Sequence, residues 1–256
     1  MTLLQTIIIA IIEGITEFLP ISSTGHMILA DSLMNIEDPA FVKTFEIAIQ
    51  LGAISAIVIQ YADKLFKSFD IYIKLFIAFI PTAIIGFLAY KIIKLYLFNP
   101  IVVAIALILG GIVIIVIDRK MIEKKSSYTN LENISYTNAF FVGLIQCLSM
   151  IPGVSRAAAT IIGGVYNGFD KRQATEFSFL LAIPTMLAAT GYELLKTPVV
   201  FTQDHVFKLG IGAIVAFITA WIAVKLFLKI IDQYGFKYFG YYRILLGVIF
   251  LLIVVL

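Results

Sequence analysis

Apolar runs with short polar punctuation dominate the pattern of this 256-residue chain. Uninterrupted runs lie at 45–61, 71–90, 101–117, 177–192, 209–228 and 240–256. Each predicts a helix long enough to cross a bilayer, the shorter ones with headgroup flanks or in a thin membrane. Two further regions, 3–34 and 138–166, are apolar but broken near their middles. The first breaks at Pro20-Ile21-Ser22-Ser23-Thr24-Gly25, the second at Pro152-Gly153-Val154-Ser155-Arg156. Proline removes a backbone donor and clashes with the preceding turn, so each region predicts two short helices around a loop. Irregular backbone at membrane depth survives only against protein or a water-filled cavity, so both breaks should face inward.

The order of these features repeats. Pro20 and Ser23 match Pro152 and Ser155, and "KTFEIAIQLGAIS" (43–55) matches "QATEFSFLLAIPT" (173–185), setting Glu46 opposite Glu176. The offset stays near 130 residues. Each half then holds one broken region and three spans. If the broken region is re-entrant, three spans carry the chain across and the second half starts on the opposite face. The expected architecture is an all-α integral membrane protein of two inverted repeats. Residues 1–125 form the first, 126–137 a cytoplasmic linker and 138–256 the second. Such repeats build a site at their interface from discontinuous helices.

Charge gives this topology a direction. The connections on the N-terminal side hold Lys43, Lys91, Lys94, Lys196 and Lys208. Those on the other side hold Lys64, Lys67, Lys74, Arg119, Lys120, Lys124, Lys125, Lys171, Arg172, Lys225, Lys229, Lys237 and Arg243, a division of 5 against 13. The positive-inside rule makes the second side cytoplasmic and turns both termini outward. Composition agrees with a membrane protein: 61% of residues are hydrophobic, 14% are charged and the mean hydropathy is +1.02, whereas soluble domains have about 25% charged residues. The start lacks the basic segment and small-residue cleavage site of a signal peptide, so no processing is expected. A net charge of +3 and one basic cluster flanking a span argue for topology, not nucleic acid. The single cysteine, Cys147, allows no internal disulfide and reads as a packed thiol. His205 reads as solvated in a polar loop, and the Tyr-rich run 234–242 as an interfacial belt.

Ionisable groups at membrane depth are functional candidates. Glu13 and Glu17 stand four residues apart on one helical face. Their like charges are tolerated if they share a proton or hold a cation, and oxygen ligands suit Mg²⁺ or Ca²⁺. Ser22, Ser23, Thr24 and Gly25 lead into a helix whose N-terminus favours anions, with His26 close behind. Arg156, in the second break, has the planar fork that binds phosphate, or pairs with a carboxylate. Glu46 and Glu176 head equivalent spans as supporting residues. Carboxylates, hydroxyl, imidazole and arginine together are equipment for phosphoryl transfer within a membrane, where the substrate is a lipid phosphate. No Walker loop is present for nucleotide. A transporter of polyprenyl phosphate lipids is the competing expectation, since inverted repeats and broken helices are transporter architecture.

"EGITEFLPISSTGH" (13–26) and "PGVSRAAATI" (152–161) resemble the two signature motifs of the bacterial undecaprenyl pyrophosphate phosphatases, the bacitracin-resistance family. "KTFE" (43–46) and "FSFLLAIP" (177–184) also resemble family segments, and the likeness covers nearly the whole chain. The resemblance implies hydrolysis of undecaprenyl pyrophosphate to the monophosphate carrier lipid of cell-wall synthesis. It implies a divalent cation and a plasma-membrane site opening toward the outer face. By position, Glu13 and Glu17 would hold the cation. Ser23 and His26 would be the nucleophile and its partner, in either order. Arg156, with Ser22, Thr24, Ser155 and Thr160, would grip the diphosphate. One departure is that Ala157 and Ala158 follow the arginine where the family usually has Ser-Gly, removing a hydroxyl and a flexible glycine.

Overall fold

The structure, a computed structural model, describes residues 1–34, 36, 39–97, 99–121, 131–196 and 202–255. The first broken region is helix α1 (Leu3–Thr16), a turn through Pro20, and α2 (Ser23–Met34). Thr2 and Gln5 start α1 with a reciprocal capping box. Three long helices follow: α3 (Pro39–Gln60), then past the short α4 (Ala62–Lys67) α5 (Phe69–Ile92), and α6 (Pro100–Met121). Pro100 opens α6 at the position where its missing N–H costs nothing. The second broken region is α7 (Tyr136–Gln146), a 3₁₀ turn over Cys147–Met150, and α8 (Arg156–Tyr166). It is followed by α9 (Lys171–Lys196), α10 (Gln203–Tyr234) and α11 (Lys237–Val255).

Among the described residues all six expected spans are helical, and both interruptions break the helix where the sequence pattern puts them. Five of the long helices, α3, α5, α6, α9 and α10, are long and apolar enough to cross a membrane, and the chain is an all-α, multi-pass membrane protein. The helices outrun their apolar runs because polar flanks stay helical once nucleated: α10 has 32 residues, roughly 48 Å, against a hydrocarbon core of about 30 Å.

α1 packs on α10 and α3, α7 packs on α5 and α8, α3 meets α9, and α6 lies along α11. Small residues allow the closest approaches. A Cβ on Gly14 of α1 would stand 2.6 Å from the Ala216 carbonyl oxygen of α10. Gly143 of α7 presses in the same way on Ala78 of α5. Beneath the breaks an aromatic core joins the halves, with Phe18 edge-on to Phe179 at 5.7 Å and Phe179 against Phe227 at 6.1 Å.

Several local expectations change. α7 begins at Tyr136, inside the expected linker, because the Ser135 hydroxyl accepts from the Asn138 N–H at 3.1 Å. Residues 122–130, which include Lys124, Lys125 and the start of that linker, lie outside the described residues. His205 is not in a loop. Thr202 caps α10 ahead of it, and its ring stacks 3.9 Å from that of Phe41. Cys147 is half-buried, its thiol donating to the Gly143 carbonyl at 3.4 Å.

Candidate active site

Each break ends in a serine that caps the helix after it. Ser22 (φ 70°) and Ser155 (φ 75°) are the two non-glycine residues with positive φ among the described residues. The Ser22 hydroxyl accepts from the Gly25 N–H at 3.4 Å and that of Ser155 from the Ala158 N–H at 3.2 Å. Left-handed backbone costs a serine on the order of 1–2 kcal/mol and persists where surrounding structure enforces it. Matching Pro20 with Pro152 sets Ser155 opposite Ser23. The shared φ and shared cap bond correct this: Ser155 corresponds to Ser22. Ser23 and Arg156 are then the first residues of two facing helices.

Both reach the same carboxylate. Ser23 Oγ donates to Glu17 Oε2 at 2.5 Å, and Arg156 Nη2 pairs with Glu17 Oε1 at 3.3 Å. Arg156 also donates through Nη1 to the Ser178 carbonyl at 2.9 Å, and its guanidinium lies 5.5 Å from the Phe18 ring centre. Its Nε is buried without a partner. Ala157 and Ala158 are buried in the first turn of α8.

Glu13, one turn before Glu17, is 1% exposed and lies within electrostatic reach of the Glu17 and Glu46 carboxylates. Its Oε1 is buried and unpartnered. Glu46 in turn contacts Asp31 of α2, and each keeps one buried oxygen without a partner. Asp31 escapes sequence reasoning because it sits in the polar end of α2 beside no motif. Glu176 is not brought into this cluster. It pairs with Lys64 and, at 3.3 Å, with Arg172, two cations presented by neighbouring helix starts. Among the described residues no group of three or more His, Cys, Asp or Glu side chains forms a metal cage. Two adjacent carboxylates with an orphaned oxygen still fit a Mg²⁺-like ion, which commonly takes one or two carboxylates and completes its shell with phosphate oxygens and water.

The other sequence-named residues divide. Thr24 is exposed at the start of α2. Thr160 is fully buried, with its hydroxyl spent on the Arg156 carbonyl at 2.9 Å and the Ser178 hydroxyl at 2.6 Å, so it braces α8 against α9 instead of facing a ligand. His26 contacts Ser22 and Tyr242: Nδ1 lies 2.8 Å from the Ser22 carbonyl oxygen and Nε2 lies 2.7 Å from Tyr242 Oη. Tyr242, expected only as part of an interfacial belt, enters the site through this contact.

Arg243 overturns a larger expectation. It is fully buried, not a solvated flank charge. Nη1 donates to the carbonyls of Pro20 (3.0 Å) and Val154 (2.9 Å), Nη2 to those of Gly153 (2.8 Å) and Ala106 (3.2 Å), and Nε to that of Leu107 (3.4 Å). Broken helices leave carbonyls without intrahelical partners. One guanidinium satisfies those of both breaks and ties them together.

The chain is similar to known proteins along its whole length. The family described as bacitracin resistance protein BacA matches residues 6–249. An undecaprenyl-diphosphatase of Wolinella succinogenes is 50% identical over 251 residues, covering 98% of each chain. One of Persephonella marina is 49% identical over 254 residues, 99% of this chain and 100% of that protein. One of Aquifex aeolicus is 48% identical over 251 residues, 98% of each chain. With two helix breaks meeting around Glu17 and this likeness from end to end, the chain belongs to the bacitracin-resistance BacA family of undecaprenyl-diphosphatases.

Proposed function

We propose that the chain hydrolyses undecaprenyl pyrophosphate to undecaprenyl phosphate and inorganic phosphate, recycling the lipid carrier of cell-wall synthesis. The observation that carries this is the Glu17 carboxylate held between Ser23 and Arg156, at two facing helix N-termini. Helix N-termini and an arginine with an unused Nε–H suit the diphosphate. Ser23 Oγ attacks the terminal phosphorus. The Oγ–P bond forms as the bond to the bridging oxygen breaks, undecaprenyl phosphate leaves, and the Ser23 proton passes to Glu17 Oε2. Water then attacks the phosphoserine and gives its proton to His26, which releases it to solvent as the phosphate departs. Ser23 Oγ leaves as it retakes the proton from Glu17. Ser23 is favoured over His26 as nucleophile because its hydroxyl already bonds an acceptor, Glu17 Oε2, placed to take its proton.

Glu13 and Glu17 would hold a divalent cation, Mg²⁺ or Ca²⁺. When bound it supplies positive charge that offsets the diphosphate and the two carboxylates. A transporter would need the grip on phosphate but not the Ser23–Glu17 pair.

The architecture we infer is two inverted repeats with re-entrant broken helices, the linker cytoplasmic and the site opening outward. The packing supports it. α1 lies on α10 as α7 lies on α5, while the equivalents α3 and α9, and α6 and α11, pair with each other, as a two-fold exchange of halves requires. The test of function is purified protein with undecaprenyl pyrophosphate: one phosphate released per lipid monophosphate formed, and none in chelator. No release in added Mg²⁺ or Ca²⁺ would contradict the activity. Full release in chelator would contradict the cation.

A further inference from the structure

His26 is held at both ring nitrogens, and the chemistry of its partners fixes which carries the proton. A backbone carbonyl only accepts, so Nδ1 bears hydrogen and donates to the Ser22 carbonyl at 2.8 Å. Nε2 is then the nitrogen with the free electron pair, and it accepts from Tyr242 Oη–H at 2.7 Å. The two rings also stack, with centroids 5.6 Å apart and planes inclined by 6°. Tyr242 comes from α11, 216 residues away in sequence. The next residue, Arg243, anchors that turn of α11 to the carbonyls of both breaks. The ring of Tyr242 thus has a fixed base, and the hydroxyl end is placed by the same contacts that join the breaks.

We propose that Tyr242 relays a proton in the reaction: it holds His26 as the Nδ1–H tautomer, with Nε2 basic, and carries the water proton to Nε2 when the phosphoserine is hydrolysed. This rests on the place given to His26 above. The single electron pair of Nε2 points at Oη, so the water proton arrives through that hydroxyl: Tyr242 gives its O–H hydrogen to Nε2 as Oη takes the hydrogen from water. No proton is lost from Tyr242, and the imidazolium keeps two partners. Without Oη the ring can still stack but is free to rotate away from the tautomer and orientation the step needs.

The test is a cycle of Tyr242→Phe, His26→Asn and the double variant, using the purified full chain and a polyprenyl diphosphate, with kcat and KM read from inorganic phosphate release. Phenylalanine keeps the stacked ring and removes only Oη. Tyr242→Phe should lower kcat about 10-fold with KM within about twofold, as expected for a group that serves general-base transfer indirectly. It should cost nothing further on top of His26→Asn, because residues acting as a unit fail together. Unchanged kcat in Tyr242→Phe, or a loss that multiplies with that of His26→Asn, would overturn the role of Tyr242 while leaving His26 in place. Full turnover in His26→Asn would instead overturn the role of His26 and this inference with it.

Discussion

Glu17 is the residue on which the site turns, since each of its oxygens is engaged by a different break. Arg156 reaches it with Nη2, fixes Nη1 on Ser178 and keeps Nε unused. A lysine there would keep the charge but not three donors in one plane. Arg156→Lys should therefore lose about 10²-fold or more in phosphate release, nearly as much as Arg156→Ala. Steady-state assays of both variants check this, and near-normal turnover with lysine would reduce Arg156 to a general positive charge. Glu13, Glu17, Ser23 and Arg156 were legible in the sequence because ionisable and hydroxyl groups stand out in apolar surroundings. Arg243 was less so: it follows a tyrosine-rich stretch that reads as interface, and its acceptors are backbone carbonyls, which leave no mark in a sequence. The signal available was "RILLGVIF", an arginine at the head of an unbroken apolar run. Asp31 and Tyr242 carry no such mark, because their partners lie on other helices.

At the scale of elements, the breaks are made by proline and held by serine caps. Hydrophobic pattern and Pro20 and Pro152 foretold two short helices in each region. Register between the breaks was not legible, because the prolines stand two residues before Ser22 but three before Ser155. The cap geometry settles it. Ser155 combines a strained φ of 75° with a cap bond to Ala158 N–H, and two substitutions separate these contributions. Ser155→Ala loses the bond and keeps the strain, whereas Ser155→Gly loses the bond and relieves the strain. The glycine variant should be the more stable by about 1 kcal/mol. Thermal melts of the purified variants measure it, and an alanine variant as stable as the glycine one would mean that the backbone there is unstrained.

For the whole molecule, the order of broken regions and spans in each half was legible from hydropathy and from the offset near 130 residues. The contacts between halves were not, since the sequence does not say that α1 packs on α10 or α6 on α11. The charge argument loses two members, because Arg243 and Lys74 are buried and are no flank charges, and 5 against 11 remain. That excess still predicts that the α4–α5 connection is cytoplasmic and the start of α10 is outside. In a Cys147→Ser background, Gln203→Cys should react with an impermeant thiol reagent in intact cells and Ser68→Cys should not. The opposite pattern would reverse the orientation, and labelling of both positions or of neither would exclude the inverted arrangement. Two helix N-termini, Ser23 on one and Arg156 on the other, meet at one carboxylate. The central claim is that this meeting point performs phosphoryl transfer through Ser23. Undecaprenyl pyrophosphate labelled in its terminal phosphate, quenched during turnover and followed by peptide mapping, tests that most directly. Label on the peptide bearing Ser23, stable to acid, labile to base and absent from Ser23→Ala, is the predicted result. Acid-labile label on His26, or full turnover by Ser23→Ala, would contradict it.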